Sequence, residues 1–308
     1  MSNVQSADVS ASVRSDFNFE VEKYPLSAVM GSEVLPTDQY GLFRSDTGFI
    51  KGVKSVSKRY VPHSTDDVCA LVEAASDAFD GEIEVKTHWR EGHYVSVAPT
   101  RSERKSIYGT ADNIFPRIVI RAGYDGQAFT GTMGYYRDAC NNLAMMRRVS
   151  GTCVKIRHSA GLRAAMDDLI QTFSQLSSGW EHLVEVAQEL ESREVRMVEF
   201  LDQIYGRPSD EQLTLAATGQ AVRAVTSHKN RTEAIWKRLN RERVRTGRPT
   251  MTNDTVSAWE AFNAVQGYVQ HDAQAKSGFK GEFDRILRAA NDAAVNKAER
   301  LVLASLAA

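Results

Sequence analysis

The sequence predicts an α+β protein, an antiparallel sheet with packed helices followed by a mainly helical C-terminal region. Residues 82–134 alternate apolar and polar side chains around two glycine-containing turns, the pattern of half-buried strands. From about Ala160 onward, apolar residues recur every three or four positions, the helical period. The chain has 308 residues and 42% hydrophobic content, enough to bury one large core or two smaller ones. Three regions are expected: an extended N-terminal arm over 1–40, an α+β sheet region over 41–160, and a helical region over 161–308 that packs on it.

The arm is assigned because residues 1 to 40 are polar, carry Pro25 and Pro36, and show no sustained period. From Gly48, Ile50, Val53, Val56 and Tyr60 suggest a strand or bent hairpin that Pro62 ends. Ser64 or Thr65 then caps a helix with Asp66 and Asp67 in its first turn. Its apolar face is Val68, Leu71, Val72, Ala75 and Phe79, and Gly81 stops it. Two hairpins follow, one around Arg90-Glu91-Gly92 and one around Gly123-Tyr124-Asp125-Gly126. Between them, residues 100–113 read as a long charged loop. Leu162, Met166, Leu169, Phe173, Leu176, Trp180, Leu183, Ala187 and Leu190 form a heptad seam that resumes at Met197, Leu201 and Ile204. Ser177-Ser178-Gly179 marks a kink or break in it. The seam packs inside the chain, pairs with later helices or joins subunits. Those later helices are expected near 209–245, 255–276 and 281–305.

Composition bounds the function. No stretch approaches the roughly 18 to 20 apolar residues that span a bilayer. The N-terminal sequence lacks the basic start and apolar centre of a secretory signal, so a soluble intracellular protein with no membrane partner is expected. Cys69, Cys140 and Cys153 are odd in number and lack CxxC spacing, which reads as reduced, mostly buried thiols. Net charge is formally −1, so any attraction to a polyanion must be local. Between Arg223 and Arg248 nine Lys or Arg stand against two acids, which makes that segment a candidate phosphate-contacting surface, with Arg238, Arg241 and Arg245 as its site residues.

A second constellation lies between Tyr135 and Leu162. Asn141 and Asn142 can hydrogen-bond bases or backbone, while Arg137, Arg147, Arg148, Lys155, Arg157 and His158 supply positive charge. Tyr135 and Tyr136, with Trp89 and Tyr94, offer flat faces for base stacking. Competing chemistry is thinner. Asp138, Cys140 and His158 lack an elbow or oxyanion signature around them. His88 and His93 lack a nearby carboxylate to complete a metal site. Asp66-Asp67 and Asp167-Asp168 resemble Mg²⁺-binding acidic pairs of nucleases, yet each lies in a helix where a first-turn or solvent-facing role suffices. No cofactor, no metal and no catalytic residue is assigned.

Several segments carry a family resemblance. LFRSDTGFIKGVKSVSKRYVPHSTDD at 42–67, GYDGQ at 123–127, Arg137 to Leu143, IRHS at 156–159 and AWEAFNAVQGYVQH at 258–271 together resemble a phage/plasmid-like protein family catalogued as a domain of unknown function. Tyr124 stands where that family usually has a histidine. The resemblance implies a phage or plasmid setting in a bacterial host cytoplasm and no transferable activity. The reading that joins it to the residues is a DNA-metabolism protein that binds single-stranded nucleic acid, works in DNA recombination by strand annealing, and assembles as a homo-oligomer. The alternatives are an interaction or host-takeover protein using the heptad seam, and a metal-dependent nuclease.

Overall fold

The computed structural model describes residues 11, 13–15, 18–50, 55–78, 83–89, 92–99, 104–108, 111–124, 128–137, 142–144, 153–273 and 292–307. The expected arm is a β-hairpin. Strand β1 (Val21–Met30) pairs antiparallel with β2 (Glu33–Arg44), with Met30 opposite Glu33 across a two-residue turn. Gly31 takes φ 62° there, the left-handed conformation such turns demand. Residues 27–39 are exposed throughout, which is why no alternation marks these strands in the sequence. Short strands β3 (Gly48–Phe49) and β4 (Val56–Ser57) pair with the base of β2, where Leu42 is buried.

Helix α1 (Thr65–Ala78) follows, closed at its start by a reciprocal cap. The Asp67 N–H donates to Ser64 Oγ at 3.1 Å, and the Ser64 N–H donates to Asp67 Oδ2 at 2.7 Å. Val68, Leu71, Val72 and Ala75 form its buried face. A seven-stranded sheet is built from β5 (Ile83–Trp89), β6 (Gly92–Pro99), β7 (Lys105–Tyr108), β8 (Asp112–Gly123), β9 (Phe129–Arg137), β10 (Asn142–Ala144) and β11 (Cys153–Ile156). Its order is β10-β9-β8-β6-β5, with β11 also on β9 and β7 also on β8. Strand β7 lies within the segment expected to be a loop. It pairs with Asp112, Asn113 and Ile114, and β6 takes over from Ile118. Pro116, which has no N–H to donate, stands in the gap between the two partners.

Helix α2 (Leu162–Ser192) runs unbroken through Ser177-Ser178-Gly179. The heptad register does not carry on as one helix beyond it. β12 (Glu194–Arg196) intervenes and pairs with β13 (Thr255–Ser257) before α3 (Met197–Tyr205) begins. The backbone supplies the reason. Arg193 C=O accepts from the Ala258 N–H, and the Met197 N–H donates to Asp254 C=O, both at 2.7 Å. The helix expected over 209–245 is two, α4 (Asp210–Ala217) and α5 (Arg223–Arg245), separated at Gly219 with φ 88°. After β13 come α6 (Ala258–Gly267), a π-helical turn (Tyr268–Asp272) and α7 (Ala293–Leu306).

The chain forms two compact units. The first comprises residues 1–103, 116–134 and 150–180, the second 104–115, 135–149 and 181–308. In the first, Leu162, Met166 and Leu169 of α2 are buried with the apolar face of α1. Gly131 of β9 lies against Leu169, whose Cδ2 would stand 3.1 Å from a Cβ added there. In the second unit α6 is buried along its whole length, between α5 and α7, with Trp259 and Phe262 fully enclosed.

Candidate nucleic-acid interface

In the second unit the basic stretch 223–248 divides by helical face. Ile235, Arg238, Leu239 and Glu242 of α5 point into the core. Arg238 donates through Nε and Nη2 to the Asp272 carboxylate and through Nη1 to Glu242 Oε1 at 3.3 Å. Glu242 Oε2 accepts from Arg137 Nη1 at 2.7 Å, and Arg137 forks Asp112 through Nε at 2.5 Å and Nη2 at 3.0 Å. At the other end Arg241 Nη2 reaches both Asp272 oxygens at 3.2 and 3.3 Å. Three carboxylates and three guanidiniums thus alternate from Asp112 to Arg241. Removing one of the fully buried members, Asp112, Arg137 or Glu242, costs roughly 3–5 kcal/mol, because its neighbours are left charged and dry. Burial pushes Glu242 above the ordinary carboxylate range, more than Arg137 and Arg238 pull it down. Asp272 goes the other way. Burial raises it, but the hydrogen bonds and charges of Arg238 and Arg241 outweigh that and hold it low.

A second ionic cluster takes Arg243 and Arg248. Arg243 Nη1 donates to Glu260 at 2.7 and 2.9 Å. Arg248 pairs with Glu260 at 2.9 Å and with Glu191, and lies 3.6 Å from the Tyr108 ring centroid. Glu260 also closes the capping box of α6 with Ser257.

Toward solvent, beside α5, lies a groove of about 860 Å³. Lys237, Arg241 and Arg245 line it at i, i+4 and i+8, a single helical face with cations spaced ~6 Å along the axis. Ala234, Asn240, Val244, Thr250 and Asp272 complete the lining.

The structure separates the expected site residues. Arg241 and Arg245 line the groove. Arg238 and Arg137, expected on a phosphate-binding surface, are corrected to core positions, 7% and 2% exposed, because internal carboxylates hold them. Tyr136 is half-buried against Phe115, ring centroids 4.9 Å apart, and Tyr135 is buried against Trp259. Asn142 lies in β10 opposite Arg137. Asn141, Arg147 and Arg148 fall outside the described residues, as do the side chains of Asn142, Lys155, Trp89 and Tyr94. Arg157 is exposed just after β11 in the first unit. His158, next to it, is corrected from a surface cation to a buried ring, 8% exposed. Its Nδ1–H donates to Val61 C=O at 3.2 Å, and its ring stacks on Tyr60 at 4.8 Å.

His158 belongs to an aromatic cluster of the first unit. His63 and Tyr124 stack with centroids 4.2 Å apart and an interplanar angle of 5°, and the Tyr124 hydroxyl donates to His63 C=O at 2.8 Å. Burial pushes the Tyr124 phenol far up. The residue at the turn is therefore a core donor to backbone. The acidic pairs have structural positions too. Asp66 pairs with Arg14, Asp67 caps α1, and Asp167 and Asp168 are exposed on α2. Among the described residues no group of three or more His, Cys, Asp or Glu is placed to hold a metal ion.

Sequence reasoning missed Lys237, Asn240, Thr250 and Asp272. The spacing of four that joins Lys237 to Arg241 and Arg245 was present in the sequence, hidden by counting charge over the whole window.

A family model catalogued as a domain of unknown function, DUF932, matches residues 53–302. The chain belongs to that family. The match includes every groove residue and starts beyond the β1–β2 hairpin. No curated protein and no solved structure matches the chain.

Proposed function

We propose that this DUF932 protein binds nucleic acid through the α5 groove, taking single strands in phage or plasmid DNA recombination, with strand annealing as the activity. One observation carries the reading: Lys237, Arg241 and Arg245 follow one another at a spacing of four along one face of the groove. Cations at that spacing suit a phosphate backbone, and their attraction does not depend on base identity. Assembly of several copies in the host cytoplasm belongs to the same reading. Among the described residues no helix is long and apolar enough to cross a membrane.

Fluorescence anisotropy with labelled oligonucleotides at two salt concentrations tests it. Lys237→Glu with Arg245→Glu should weaken binding and flatten the salt dependence by about 0.7 in logarithmic slope per lost contact on a single strand. Arg157→Glu, in the first unit, should leave binding unchanged. Equal binding by the native and doubly reversed proteins, both folded, would remove the groove from the reading. The alternative of a partner protein that uses the seam keeps its own test: Leu162, Met166, Leu169, Trp180, Leu183, Ala187 and Leu190 are buried, and the side chains of Phe173 and Leu176 lie outside the described residues.

A further inference from the structure

The groove is more than a charged strip, and its chemistry specifies what part of a nucleic acid enters it. Phosphate contacts alone would be served by a solvated helix face. Here the cations flank apolar surface: Ala234 lies one turn before Lys237, and Val244, 61% exposed, lies beside Arg245. The aliphatic stems of the lysine and arginines extend that surface while their charged heads stay in water. At about 860 Å³ the open groove has room for a group the size of a nucleotide. The uncharged polar side chains of the lining are Asn240 and Thr250. The Asn240 carbonyl Oδ1 is occupied by the Met251 N–H at 2.8 Å, which leaves the amide Nδ2 as the donor. Asp272 already accepts four contacts from Arg238 and Arg241, so it fixes a guanidinium rather than receiving a ligand. It holds Arg241 by Nη2 alone, one corner of the fork.

We propose that the groove seats one unstacked nucleotide, its base lying against Ala234 and Val244 with Asn240 donating to its edge, and its phosphates held by Lys237, Arg241 and Arg245. This rests on the nucleic-acid reading above and goes further, because a base can reach an apolar floor only when it is out of the duplex stack. Single strands and free mononucleotides share this chemistry. Duplex offers only phosphates. One donating amide reads little of a base edge, so the seat tolerates all four bases.

The experiment compares a labelled single strand, the matching duplex and competition by unlabelled mononucleotide. A single strand carrying the fluorescent base 2-aminopurine reports on the environment of the base. The native chain should prefer single strand over duplex by about tenfold, the scale of one base contact, with a change in 2-aminopurine emission. Ala234→Gln, which replaces the apolar floor with an amide, should abolish that preference and that change while duplex binding and its salt slope stay as they were. Val244→Asn tests the same floor at an exposed position where folding is not at stake. Displacement by mononucleotide identifies free nucleotide as a ligand of the same seat, and its absence assigns the seat to strands. Equal binding of single strand and duplex, or a single-strand preference that survives both floor variants, overturns the seat and leaves phosphate binding standing. No binding of any of the three removes the nucleic-acid reading itself.

Discussion

Asp272 shows how much of the second unit depends on a single carboxylate. It links buried Arg238 to the groove arginine Arg241. Its pKa is held low, so its contribution to stability is complete above the ordinary aspartate value of about 3.9 and is lost as pH falls through the folded-state value. Glu191 has the opposite sign. Burial raises it more than Arg248 and Ser257 lower it, so its contribution is lost as pH rises through its folded-state value. Comparing native and Asp272→Asn proteins isolates the aspartate. In urea titrations we expect the native advantage over Asp272→Asn to shrink steadily as pH is lowered from about 5 toward 3. A pH-independent difference would show that the pair with Arg238 contributes through packing alone. This residue was not legible in the sequence. Its partners Arg238 and Arg241 are 34 and 31 positions away, and Asp112 at the far end of the chain of charges is further still.

Among elements, legibility followed periodicity. Helix α1 was readable because Val68, Leu71, Val72 and Ala75 share one buried face and Ser64 and Asp67 cap it. The β1–β2 hairpin was not, since neither face of its outer half is buried and the apolar Val29, Met30, Val34 and Leu35 point into water. The seam beyond Glu194 misled, because Met197 keeps the heptad count while β12 has already left the helix. Where β9 meets α2 in the first unit, the packing permits a direct test. Gly131→Val places a branched side chain against Leu169 and should destabilise by about 1–3 kcal/mol in chemical denaturation. Adding Leu169→Ala should recover part of that loss, so that the double mutant costs less than the two singles together. Additive costs would mean that the strand is held by something other than this contact.

At the level of the whole molecule, charge that looks concentrated in sequence is dispersed by folding. Arg238, Arg243 and Arg248 of the basic stretch between 223 and 248 meet Asp272, Glu260 and Glu191 from other segments, and Lys237, Arg241 and Arg245 line the groove. The exposed apolar hairpin is the surface on which we base self-association. Light scattering at micromolar concentration should report an assembly. A variant in which residues 27–38 are replaced by a short turn should be monomeric with an unchanged folded-state spectrum. A native protein that is already a monodisperse monomer would end the oligomer proposal.

The π-helical turn Tyr268–Asp272 has a consequence for insertions and deletions. It holds one residue more per turn than the α-helix it continues, and the Ala273 N–H bonds back five residues to Tyr268 C=O at 2.8 Å. Forcing this turn into α geometry with all five residues kept would rotate Asp272 by about one residue's step, ~100°, about the axis, and turn its carboxylate away from Arg238 and Arg241. Deleting one of the first four residues at the same time would cancel that rotation, because the wide turn absorbs one extra residue. The match between the length of this segment and its wide turn, more than the identity of its first four residues, therefore keeps Arg241 in place.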